Sequence, residues 1–132
     1  MNFTEAFRGY GAIPTNPQWA FSAVSDRGDI VVSLWQHKIK KDRDLAAFVY
    51  RDSITRSGKN QLGHKLFADH LQLAFNDQAR LRIVVATAED WTLVEEGKDG
   101  STIRKTFHLW REVIGKVREF DGDNYLIVFE PA

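Results

Sequence analysis

The chain has 132 residues, 18 acidic and 18 basic side chains, and no cysteine. That length suits one domain, expected over residues 1–132, and the lack of cysteine excludes disulfides, thiolate chemistry and cysteine-based zinc sites and fits a reducing cytoplasm. No apolar run approaches the roughly 20 residues that span a bilayer, and the start MNFTEAFRGYGA carries an acid and no long apolar stretch, so neither a secretory signal nor a membrane partner is expected.

In chain order, the segment TEAF predicts a short helix with Thr4 as its N-cap and Glu5 in its first turn. Gly9, Gly11, Pro14 and Pro17 then predict an irregular lead-in. WAFSAV and IVVSLW flank SDRGD and read as a β-hairpin. Alternation puts Ile30, Val32 and Leu34 on the core face of the second strand and Val31, Ser33 and Trp35 on the other. HKIKKDRD reads as a polar connection, LAAFVYR as a third strand and DSITRSGKN as a loop. Leu62, Leu66, Phe67, Leu71, Leu73 and Ala74 recur mostly at helical steps and predict one main helix over about residues 60–76, with Asn60 as its N-cap. ARLRIVVATA is the strongest strand and is expected inside the sheet. WTLVEE and STIRKTFHL are expected to pair around GKDG, and REVIGKVREF and NYLIVFE flank DGD in a last hairpin. The order of elements predicts an α+β chain: about seven strands in a strongly bent, mostly antiparallel sheet or small open β-barrel, packed on one main helix.

The charge is unevenly spread. Residues 36–65 hold eight basic side chains against three acidic ones, a net +5, on a neutral chain. A local basic patch points to a localised anionic partner. Aromatic residues lie among these charges. Aromatic faces stack on bases and Lys or Arg neutralises phosphates, so the set predicts a binding module for nucleic acid or a nucleotide-like ligand. In that reading Trp19 and Trp35 stack, and Asn16 and Ser33 bond a base edge. Lys38, Lys40, Lys41, Arg43, Arg51 and Arg56 meet phosphates, and His37 and Tyr50 complete the site. No catalytic residue, metal or cofactor is assigned. The competing view takes the aromatics as core and the lysines as a solvated loop.

Two further readings come from other classes. Asp77, Glu96 and Lys98 loosely match the acid-x-Lys element of metal-dependent nucleases, in which carboxylates hold Mg²⁺. A structural or adaptor protein would instead bury an apolar patch against a partner, including a second copy as a homodimer. His64 and His70 are six apart and fall on different helix faces, which is not the spacing of a zinc helix. His70 is expected as a hydrogen-bonded residue at the core edge. Neither a phosphate-binding glycine loop nor a nucleophile elbow is present.

The residues Asn16, Pro17, Trp19, Phe21 and Ser22, followed by a hairpin and Trp35, form an N-P-x-W-x-[FW]-S … W pattern. It resembles a small group of uncharacterised bacterial domains, and His70, Ala74 and the stretch Leu81 to Asp90 continue the likeness over most of the chain. The outline of one helix on a bent sheet is also similar to PUA-like domains, which include readers of modified bases. That likeness implies a modified-base reader in a bacterial DNA modification or defence setting, at the level of fold and without residue-by-residue correspondence.

Overall fold

In the computed structural model, residues 1–14, 21–57, 61–98 and 102–132 are described. Among them the chain forms helix α1 (Phe3–Arg8), strands β1 (Ser22–Val24), β2 (Ile30–Trp35), β3 (Ile39–Asp42) and β4 (Ala47–Ser53), helix α2 (Gln61–Asp77), strand β5 (Leu81–Ala88), helix α3 (Trp91–Glu95), and strands β6 (Lys105–Leu109), β7 (Val113–Phe120) and β8 (Asn124–Pro131). The class is α+β, as expected. The eight strands run β1-β2-β5-β7-β8-β4-β3, with β6 added beside β5.

Local chemistry explains most boundaries. Helix α1 starts from Asn2, not Thr4. The Asn2 side chain accepts from the Glu5 N–H at 2.8 Å, and the Glu5 carboxylate accepts from the Asn2 N–H at 3.0 Å. This reciprocal box needs an acid three residues after the cap, and Thr4 has Phe7 there. In the β1–β2 hairpin, the Ser25 hydroxyl accepts from the backbone of Arg27 and Asp29, and Gly28 takes the left-handed φ of 83°. The β7–β8 hairpin turns on Gly122 at φ 101°, with the Asp121 carboxylate accepting from the backbone of Asp123 and Asn124. Asn60 lies outside the described residues.

Two segments differ from expectation. WTLVE is a helix, because the Asp90 side chain caps it by accepting from the Thr92 N–H at 3.0 Å. HKIKKDRD contains β3, an eighth strand. It is an edge strand, and its exposed lysines hide the usual strand signature while protecting the edge from further pairing.

Every strand pair is antiparallel except β2 with β5, whose register runs from Ile30↔Leu81 to Trp35↔Ala86. The other side of β5 is shared. Residues Val84–Ala88 pair with β6, and Leu81 alone pairs with Gly115 of β7. A Cβ on Gly115 would stand 3.0 Å from Ile127 Cγ2, 3.2 Å from Leu81 Cβ and 3.3 Å from Ile83 Cδ1, so glycine permits this close crossing.

The sheet must bend. From β2 to β3 there are five strand spacings, about 24 Å on a flat sheet. Yet only a 3₁₀ turn, Gln36–Lys38, joins them, and the four Cα steps from Trp35 to Ile39 reach at most about 15 Å. The Trp35 N–H donates to the Tyr50 hydroxyl across this bend at 3.3 Å. The sheet stays open, since its edge strands β1 and β3 are not paired with each other.

Inside the bend lies the main core. Ile30, Val32 and Leu34 of β2 meet Ile83 and Val85 of β5, Tyr50, Tyr125, Ile127 and Phe129, with Phe67, Leu71 and Ala74 of α2. The predicted core face of β2 is the observed one. Its opposite face is also covered, because α1 lays Ala6 and Phe7 over Val31 and Val84.

Candidate ligand-binding cleft

Strands β2 and β5 are parallel, so the segments that follow them leave the same end of the sheet. The 3₁₀ turn follows β2 and α3 follows β5. They bring His37 beside Trp91, with ring centres 5.7 Å apart and planes at 33°. The Trp35 ring centre also lies 6.2 Å from that of His37. His37 Nε2 lies 2.9 Å from the Glu95 carboxylate. Lys38 Nζ is 2.7 Å from Asp52 Oδ2 and 4.0 Å from Glu95 Oε1. Both members of the closer pair are withdrawn from water, with side chains 14% and 4% exposed.

Next to this group is an open cleft of about 730 Å³. Ile39 gives it apolar surface over the buried Val49, Lys40 and Arg51 give it cationic rim, and Gln36, His37, Lys38, Asp52, Trp91 and Glu95 also line it. Trp91 is 54% exposed. Such a cleft combines a face for stacking, donors for an anion and the carboxylate of Glu95 as an acceptor. The chain has no cysteine, and among the described residues no serine or threonine lines the cleft.

Of the residues expected to bind ligand, the structure gathers His37, Lys38, Lys40 and Arg51. Asn16 and Trp19 lie outside the described residues, as does the side chain of Arg56. Trp35 is half-buried and packs against the main core, and its backbone N–H donates to the hydroxyl of the buried Tyr50. Lys105 Nζ stands 6.0 Å from its ring centre. Tyr50 does not belong to a binding surface. Its side chain is core, 2% exposed, and burial followed by the charge of Asp52 holds its hydroxyl in the neutral form far above the ordinary tyrosine range. Ser33 sits mid-strand, away from the cleft. Lys41 and Arg43 are exposed on the β3–β4 hairpin but do not line the cleft.

The basic patch is partly neutralised. Asp52 takes Lys38, and Asp42 takes Arg51 at 2.8 Å. That hydrogen bond from Arg51 holds the Asp42 carboxyl below its usual range. Among the described residues Lys40, Lys41 and Arg43 form no ion pair.

Gln36, Ile39, Val49, Asp52, Trp91 and Glu95 are the cleft residues that sequence reasoning did not assign. The usable signal was Asp90-Trp91-Thr92, an N-cap after the strongest strand, which places a helix start at a strand's carboxyl end.

The chain matches no protein-family model, no curated protein and no solved structure. The reading of the site therefore rests on its own geometry.

That geometry separates the nuclease candidates. Asp77 ends α2 before β5 begins, whereas Glu96 follows α3 after β5 has ended. The eight residues of β5 between them rise about 3.3 Å each, a span of about 26 Å. Among the described residues no three His, Asp or Glu side chains gather as a metal site. His70 is the core-edge residue expected. Its Nδ1 lies 2.7 Å from the hydroxyl of the fully buried Ser22, and burial lowers its pKa against the opposing pull of Asp69.

Proposed function

We propose that this protein is a non-catalytic binding module whose cleft takes a nucleotide-like ligand, with the base on Trp91 and the phosphate between Lys40 and Arg51. The observation that carries the reading is Trp91, a large aromatic side chain left 54% exposed beside a cationic cleft. Exposed tryptophan at a concave site is a recognition feature, because its ring stacks on any base. His37 and Glu95 support the role by fixing the surface around Trp91. A reader of a modified base, as the PUA-like outline implies, is a special case of this proposal, in which the added group enters the cleft beside Ile39 and Val49.

The test is calorimetric titration with nucleoside monophosphates at low salt, repeated on Trp91→Ala. Base–aromatic stacking is worth about 1–3 kcal/mol by alanine substitution, so the variant should bind at least about fivefold more weakly. Absence of heat with every base, or equal affinity for the variant, refutes the reading.

A further inference from the structure

The β3–β4 hairpin carries a second aromatic station. Strand alternation and the register Lys40↔Val49 and Lys41↔Phe48 put Lys41 with Phe48 on the face opposite Lys40 and Val49, and neither Lys41 nor Phe48 lines the cleft. Phe48 is 46% exposed. Trp110 holds it edge-on, with ring centres 6.2 Å apart and planes at 70°, and Trp110 is itself anchored on the buried Phe129 at 5.1 Å. Lys41 Nζ lies 5.3 Å from the Phe48 ring centre. Lys40, Lys41 and Arg43, which form no ion pair among the described residues, lie along one edge strand and its turn. One exposed aromatic, Trp91, lines the cleft, and a second, Phe48, stands on the hairpin outside it.

A single nucleotide seated in the cleft leaves Lys41 and Arg43, which do not line it, unused. We propose that the ligand is a single-stranded nucleic acid that crosses the β3 edge, with one base on Trp91, its phosphates along Lys40, Lys41 and Arg43, and another base on Phe48. This rests on the cleft reading above and extends it. Charge complementarity selects the occupant: the edge offers positive charge with aromatic faces at both ends, which matches a flexible polyanion with stackable bases. A duplex does not fit, since its bases are already stacked on one another.

The experiment compares thymidine monophosphate with an oligothymidylate of about eight nucleotides on the unmodified protein, Phe48→Ala, Phe48→Leu and Trp91→Ala. Phe48→Leu keeps the apolar contact with Trp110 and removes only the stacking face, which guards against a folding artefact. The oligomer should bind more tightly than the monophosphate. Both Phe48 variants should weaken the oligomer about tenfold and leave the monophosphate unchanged. With three phosphate contacts, log affinity for the oligomer should fall with log salt at a slope of about −2. If the monophosphate binds and the oligomer is insensitive to both Phe48 variants, the crossing path is overturned and the cleft stands. If neither probe binds, both readings fall. Oligomer binding that ignores Trp91→Ala also overturns the path, because it requires both stations.

Discussion

The pair Lys38–Asp52 tests whether this basic residue serves a ligand or the fold. At 2.7 Å and an effective dielectric near 20, the attraction is about 6 kcal/mol. Withdrawing two charges from water costs several kcal/mol per ion, so the net worth of the intact pair is near zero. Breaking it is another matter, since about 3–5 kcal/mol is lost when one partner is left buried alone. The two ends differ here. After Asp52→Ala, Lys38 still has Glu95 at 4.0 Å, half-exposed and screened, so the expected loss is about 2–3 kcal/mol. After Lys38→Met, Asp52 keeps no cation within ion-pair distance among the described residues and only the Ser53 N–H at 2.9 Å, so about 3–4 kcal/mol is expected. The double variant should lose only about 1–2 kcal/mol, far less than the two single losses combined. Urea denaturation followed by circular dichroism measures all four proteins. Additive losses, or a Lys38→Met variant as stable as the parent, would refute the assignment and return Lys38 to the set of phosphate contacts.

Two more outcomes follow from the packing. Gly115→Ala inserts a methyl group 3.0–3.3 Å from three core side chains, and overpacking should cost about 1–3 kcal/mol despite the lower chain entropy of alanine; an unchanged urea midpoint refutes the close crossing. Burial lowers the pKa of His70, so the unfolded chain takes up a proton first as pH falls below about 6.5. Stability should thus be full above that value, decline below it, and level off beneath the folded pKa. Midpoints at about pH 7.5 and 5.5 should differ less in His70→Gln, and an equal or larger difference in the variant would contradict the argument.

Much of the scaffold was legible because it follows from short-range rules. The face carrying Ile30, Val32 and Leu34, the two glycine hairpins and the helix bearing Phe67, Leu71 and Ala74 all come from period and turn chemistry. The cleft was half legible. His37, Lys38, Lys40 and Arg51 were found because they are close in sequence. Trp91 and Glu95 were not, because the parallel pairing of β2 with β5 joins segments about fifty residues apart, and no local pattern states that register. Trp35 was misjudged by alternation, which assumes a flat strand and fails where the sheet curls. The charge count overstated the patch, since Asp42 and Asp52 consume part of it through contacts that only the β3–β4 register creates.

The lone Leu81–Gly115 pairing divides the sheet into two halves that share very little backbone. Strands β1, β2, β5 and β6 form one, and β7, β8, β4 and β3 the other. The 3₁₀ turn is one of the chain connections between them, and the cleft lies against it. His37 and Trp91 belong to the first half and its extensions, while Val49 and Arg51 belong to the second. A molecule seated there clasps both halves at once. Its occupancy would be felt in slowed amide exchange at the seam beside Leu81, on strands that it never touches.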